Sequence, residues 1–146
     1  MLHTCMPSNS LVGLHDVIYD SRASDNEERS AEYAQGLCRE LSISEGRLVA
    51  SLIMKTKTHD AAADVDAQVL IDADLAILGT SESAYRTYAE QIRQEYAWVP
   101  EPDYRIGRRR ILERFLTMPK IYHHLSHLED SARRNIAAEI ARLSVA

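Results

Sequence analysis

The stretch Leu14-His15-Asp16-Val17-Ile18-Tyr19-Asp20 decides how the rest of this chain is interpreted. It sets a histidine beside an aspartate among apolar residues, and the apolar segment Ile71-Asp72-Ala73-Asp74-Leu75 supplies further carboxylates much later. Imidazole nitrogen and carboxylate oxygen both bind divalent metals, and apolar flanks limit the access of competing water. The two stretches therefore indicate a metal site in a helical protein. A core histidine beside a surface aspartate is the commoner origin of a bare His-Asp pair.

Further short motifs surround these two stretches in a fixed order. They read DNEERSA at Asp25 to Ala31, TKTH at Thr56 to His59, DADLAILG at Asp72 to Gly79, and EYxxVPxxxYRxGRRxxLxxFL at Glu95 to Leu116. In this order the motifs resemble the HD-domain superfamily of metal-dependent phosphohydrolases, and more closely its small bacterial branch of predicted HD phosphohydrolases. The resemblance extends from about Leu14 to Leu143.

The resemblance implies an all-α fold, an HD-domain-like bundle of about six helices. It implies that His15, Asp16 and Asp74 bind a divalent metal, with Mg or Mn favoured and Fe, Ni or Zn as alternatives. Asp72 is expected to support a metal ligand or to face solvent.

The implied chemistry is the metal-assisted hydrolysis of a small phosphorylated substrate such as a nucleotide. Glu28 would orient or deprotonate the attacking water. Lys57 and His59 would contact the phosphate or protonate the leaving group.

The chain departs from the superfamily pattern upstream of the His-Asp pair. Family members carry a helix there with the first metal-ligating histidine, whereas this sequence has only Met1 to Gly13, with His3 as its sole histidine. Residues 1–13 are expected to be an irregular segment. The amino-terminal helices are expected either to have been lost or to be missing because the start was assigned too far downstream. Whether the chain is an enzyme is therefore left open. The alternative is a catalytically silent helical domain that acts in protein association or forms a homo-oligomer through apolar surface around Leu11, Val12, Leu14 and Val17.

The bulk properties favour one folded domain over residues 14–146. The chain has 146 residues, of which 45% are hydrophobic and 27% charged, with only 5 glycines and 4 prolines. A formal net charge of −5 gives no general attraction to nucleic acid or to an anionic membrane. Neither a membrane span nor a signal peptide is evident, so the expected location is the cytoplasm. Cys5 and Cys38 lack zinc-site spacing, and Cys38 is expected to be buried.

Apolar residues recur at helical spacing through most of the chain. The spacing predicts helices over about 25–41, from 42 to 56, around 69–78, over 83–96, from 102 to a point before Pro119, and over 128–143. Ser24 with Glu27, and Ser42 with Glu45, have capping-box spacing. Gly79 suits a left-handed helix end. Leu14 to Ile18 is expected to end a buried helix, and Asp20 to Ser24 to form a turn.

Several charged and aromatic residues could also have simpler structural roles. Glu28 falls in the first turn of a helix and Lys57 at the end of one, where each charge complements the helix dipole. His123, His124 and His127 are expected to be surface residues, because no HExxH pattern accompanies them. The tyrosines of 83–96 are expected to pack in the core. The run Arg108-Arg109-Arg110 is expected to be a solvated face from which one arginine could reach a phosphate or an acidic neighbouring helix.

Overall fold

The computed structural model describes Leu14, residues 16–58 and residues 64–145. Within these residues the protein is all-α, with six α-helices and no strand, as the sequence predicts. The helices are α1 (Asn26–Glu40), α2 (Gly46–Thr56), α3 (Val65–Leu75), α4 (Glu82–Glu95), α5 (Glu101–Thr117) and α6 (Glu129–Ser144), with short 3-10 helices at Ala76–Gly79 and Ser126–Leu128. None of the described helices is both long and apolar enough to cross a membrane.

The chain divides into two compact units, one ending at Asp74 and one beginning at Leu75. The expectation of a single domain over residues 14–146 stays a prediction.

The first unit is built on the packing of α1 against α2. Small side chains of α1 meet branched side chains of α2, which lets the two helices approach closely. Cys38 is 1% exposed, which confirms the prediction that it is buried. The core consists of Ala31, Ala34, Cys38, Val49 and Ile53, with Leu14, Ile43 and Ala50 packed against it.

A Schellman motif ends α1 and sets the connection to α2. The Ser42 N–H donates to the Arg39 carbonyl at 3.2 Å, and the Ile43 N–H donates to the Cys38 carbonyl at 2.8 Å. Ser42 adopts a left-handed φ of 56°, at the position where glycine is usual. Ile43 then packs against the core, which is the apolar contact that accompanies this motif.

The second unit contains α4, α5, α6 and both 3-10 helices. Its fully buried side chains include Tyr85, Leu112, Tyr122 and Ile136. Buried polar groups are paired: the Tyr122 hydroxyl donates to the Leu75 carbonyl at 2.9 Å, and the Asn135 amide donates to the carbonyls of Leu78 and Thr80, each at 2.9 Å. These bonds attach α6 and the segment before it to the first 3-10 helix.

Three local predictions are wrong. Neither capping box forms, because Asp25 and Glu45 are the N-cap residues of α1 and α2 and neither makes a side-chain cap. Ser42 instead completes the end of α1. Leu14 and residues 16–18 form turns and bends rather than the end of a helix.

Gly79 is needed for close packing rather than for a left-handed conformation. No described glycine has a positive φ. A Cβ atom at Gly79 would lie 2.6 Å from the Leu128 Cβ and 3.1 Å from the Tyr122 hydroxyl oxygen. Only glycine allows the segment before α6 to pass so close to the first 3-10 helix.

Candidate active site

Two of the residues expected to act in catalysis, Glu28 and Lys57, contact each other. Glu28 lies in the first turn of α1, and Lys57 directly follows α2. The Lys57 ammonium donates to Glu28 Oε1 at 2.5 Å and to the Ser24 carbonyl at 2.8 Å, and it lies 4.0 Å from Glu27 Oε2. The pairing of α1 with α2 therefore brings Glu28 of the first motif and Lys57 of the second to one place.

Each member of this pair shifts the pKa of the other. The hydrogen bond from Lys57 lowers the pKa of Glu28, and a hydrogen bond to its own backbone N–H adds to the effect. The hydrogen bond to Glu28 raises the pKa of Lys57, against the smaller effect of desolvation. Both groups are therefore charged at neutral pH. Their side chains are 45% and 36% exposed, and ion pairs in such positions contribute little to stability.

The hydrogen bonds of Lys57 connect the end of α2 to the start of α1. A lysine that caps α2 would donate to the last carbonyl groups of that helix. The described bonds of its ammonium instead go to α1 and to the turn before it. Lys57 still lies at the carboxyl end of α2, where its charge complements the helix dipole, and its role in phosphate recognition stays a prediction.

The expected metal ligands are described only in part. His15 lies outside the described residues, as does the expected catalytic residue His59. Asp16 is exposed, and Asp74 is half-buried near the end of α3. Among the residues that the structure describes, no three His, Cys, Asp or Glu side chains form a group that could hold a metal ion. The set of His15, Asp16 and Asp74 remains a prediction, because it needs His15.

Asp72 does not face solvent. Asp72 is 2% exposed, whereas a solvent-facing position was one of the two alternatives expected from the sequence. A carboxylate removed from water in this way needs a hydrogen-bonding or charged partner. Asp72 is thus the more deeply buried of the two DAD carboxylates.

A second lysine near Lys57 forms a comparable ion pair. Lys55 contacts Asp64, whose other carboxylate oxygen accepts the Ala67 N–H at 3.2 Å in the first turn of α3. The bond from Lys55, followed by that from Ala67, lowers the pKa of Asp64. Sequence reasoning missed this pair, because Asp60 to Asp66 looked like an unstructured Ala/Asp loop.

The second unit holds a buried polar cluster of Tyr85, Arg108 and Glu139. Arg108 Nε donates to Glu139 Oε1 at 2.8 Å, and the Tyr85 hydroxyl donates to Glu139 Oε2 at 2.5 Å. The Arg108 guanidinium also lies 5.6 Å from the centre of the Tyr88 ring. Arg108 is therefore the arginine of its run that reaches an acidic neighbouring helix, one of the two alternatives that the sequence offered.

Burial and hydrogen bonding act in the same direction on the pKa of Tyr85 and in opposite directions on the pKa of Arg108. Burial and the bond to Glu139 raise the pKa of Tyr85, so its hydroxyl stays protonated. Desolvation is the largest single effect and disfavours the charged form of Arg108. The bond to Glu139, together with the electrostatic interactions with Tyr88, Glu139 and Tyr85, nevertheless raises the pKa of Arg108. Tyr85 was expected to pack in the core, whereas the run that contains Arg108 was expected to be a solvated face. That expectation is wrong for Arg108, whose side chain is 9% exposed. Nothing in the sequence singled out Glu139.

The histidines before α6 are exposed, as expected. His123, His124 and His127 all have exposed side chains, and the rings of His123 and His124 are 6.5 Å apart. They belong to no described group of possible metal ligands.

Comparisons with known proteins identify no relative. No family model matches the chain, and no match was found among curated proteins or solved structures.

Proposed function

We propose that the protein is a metal-dependent phosphohydrolase that acts on a small phosphorylated metabolite such as a nucleotide. The observation that carries the proposal is the contact between Glu28 and Lys57, which are 29 positions apart in the sequence. Both residues were assigned to catalysis from the motifs alone. An ammonium group and a carboxylate held side by side at an accessible surface can position a phosphate and a water molecule.

In this proposal Lys57 binds a phosphoryl oxygen of the substrate. Its ammonium has three donors, and the bonds to Ser24 and Glu28 account for two of them. Glu28 orients the attacking water. Its lowered pKa keeps it ionised but makes it a weak base, so we assign it an orienting role rather than the net removal of a proton.

The remaining residues complete the proposal. His59 meets the phosphate or protonates the leaving group. Held by His15, Asp16 and Asp74, a divalent cation such as Mg or Mn would stabilise the charge that develops on the phosphoryl oxygens. Fe, Ni and Zn are the alternatives that a histidine ligand admits.

Phosphate release from a panel of nucleotides, with Mg or Mn added, tests the proposal. We expect Asp16→Ala to abolish activity and Lys57→Met to lower kcat/KM by about tenfold or more, because a charge-assisted hydrogen bond to the substrate is lost. Lys55→Met is the matched control, since Lys55 pairs with Asp64 on the same unit. An equal loss of activity in Lys55→Met and Lys57→Met would contradict the assignment.

A second candidate is a catalytically silent helical domain that associates with a partner or with its own copy. Exposed apolar side chains favour it: Val17 is 42% exposed, and Leu41 and Leu48 are 59% and 49% exposed. Bound metal distinguishes the two candidates. A purified protein without metal and without phosphatase activity, but with a mass that rises with concentration, would support association.

A further inference from the structure

We infer that a cavity between α4, α5 and α6 binds a small phosphorylated anion at a site separate from the proposed active site. The cavity has a volume of about 280 Å³ and lies wholly within the second unit. That volume is near the lower end of the range for small-molecule sites. It exceeds what a few water molecules occupy.

The lining of the cavity is rich in arginine. Arg86, Arg93, Arg105 and Arg142 line it together with Glu90, Glu101 and Glu139. Glu139 is already paired with Arg108, which lies behind the lining. Apart from that ion pair, four guanidinium groups and two carboxylates line the cavity. The cavity carries a positive charge in a protein whose formal net charge is −5.

Two of these arginines are held in place by the protein. Glu101 accepts from Arg93 Nε at 2.9 Å and from Arg105 Nε at 2.8 Å, so one carboxylate serves two guanidinium groups. Arg93 also donates to the Tyr96 carbonyl at 2.8 Å and lies 4.5 Å from the centre of the Tyr104 ring. Arg105 donates to the Val145 carbonyl at 2.7 Å. Side chains fixed in this way lose little entropy when a ligand binds.

The other two arginines have no ion pair within the described part of the chain. Arg86 on α4 and Arg142 on α6 are exposed and line the same cavity. Glu90, the remaining carboxylate of the lining, is also unpaired there. Arg86 and Arg142 can therefore turn toward an anion without breaking an existing bond.

Phosphate is the ligand chemistry that suits this arrangement. The planar guanidinium group binds two oxygens of a phosphate at once, and several arginines together favour an anion of high charge. A single carboxylate would leave much of the positive charge unmatched. We therefore expect inorganic pyrophosphate to bind more tightly than inorganic phosphate.

Isothermal titration calorimetry of the full chain with pyrophosphate, at low ionic strength and with EDTA present, tests this inference. EDTA removes any contribution from a bound divalent cation. We expect the double substitution Arg86→Gln with Arg142→Gln to weaken binding by about tenfold or more. Glu90→Gln removes a negative charge from the same lining and should tighten binding. Added salt should weaken it.

Two control variants test whether pyrophosphate binds in this cavity and nowhere else on the protein. Arg110→Gln, an exposed arginine of α5 outside the lining, should leave binding unchanged. Glu28→Gln should also leave it unchanged, so that binding here can fail or succeed independently of the proposed phosphohydrolase activity. No measurable pyrophosphate binding, or an equal loss in Arg110→Gln, would overturn the inference.

Discussion

Arg108 of α5 and Glu139 of α6 form a two-point ion pair inside the second unit. The Nε and Nη2 atoms of the arginine donate to the two carboxylate oxygens at 2.8 and 3.2 Å. The side chains are only 9% and 5% exposed. Tyr85 of α4 donates to the same carboxylate, so Glu139 is the point at which three helices are joined.

Loss of Arg108 should destabilise the protein strongly. Arg108→Met leaves the Glu139 carboxylate buried without its cation, and breaking such a pair costs about 3 kcal/mol or more. The neighbouring Arg109 pairs with Glu113 on an exposed surface, so Arg109→Met should cost about 1 kcal/mol or less. Urea unfolding of both variants measures the difference. Similar losses in the two variants would show that Glu139 does not depend on Arg108.

The pair of Glu28 and Lys57 should be visible in a pH titration. Because the pKa of Glu28 is lowered in the folded protein, any stability from this carboxylate is present above its unfolded pKa and is lost as the pH falls through the folded value. The raised pKa of Lys57 acts at the other end of the range, where its contribution is lost as the pH rises through the folded value. Side-chain NMR should give Glu28 a midpoint below the ordinary range.

The control for that titration removes the lysine. In Lys57→Met the midpoint of Glu28 should rise, because the hydrogen bond that favours its charged form is gone. An unchanged Glu28 midpoint would show that the contact is not populated in solution.

Two glycines should respond to alanine in opposite directions. At Gly79 the new methyl group would meet Leu128 and Tyr122, so Gly79→Ala should destabilise by about 1–3 kcal/mol. At Gly107, inside α5, no atom lies within 4 Å of a new Cβ. Gly107→Ala should therefore stabilise by about 0.5–1 kcal/mol, through the better helix propensity of alanine. Thermal unfolding of the two variants checks both signs, and a stable Gly79→Ala protein would contradict the close packing.

Glycine at position 42 should make the protein more stable than the native serine does. Its φ of 56° lies in the left-handed region, which glycine adopts without the steric cost of a Cβ atom. Ser42→Gly should raise the free energy of unfolding by about 1 kcal/mol. Ser44→Gly, at an exposed position of the same connection without a positive φ, should give no gain. An equal gain in stability at both positions would show that the left-handed φ of Ser42 is not its cause.

The helices were predictable because the apolar spacing is regular. The helix expected over about 25–41 is observed at Asn26–Glu40, and the one expected over 83–96 is observed at Glu82–Glu95. Helix ends were less predictable, since they depend on tertiary context. Ser42 has the spacing from Glu45 that is typical of a capping box, but it takes part in the end of the preceding helix instead.

The candidate site was predictable only as a set of motifs. Glu28 and Lys57 were predicted as site residues from the sequence. The spacing of apolar residues predicts each helix, but it does not reveal that the start of α1 lies beside the end of α2. Asp72 and Glu139 show the same limit, because a carboxylate in a helical pattern does not reveal its burial. The Gly79 contact with Leu128 depends on residues 49 positions apart and could not be read from local sequence.

The side chain of Arg93 spans the corner between α4 and α5. It bonds to the Tyr96 carbonyl within the connection and to Glu101 at its far end. All these partners lie within a few positions of one another, so their contacts require little loop-closure entropy. We therefore expect the corner between α4 and α5 to form early in folding, before the more distant α6 supplies Glu139.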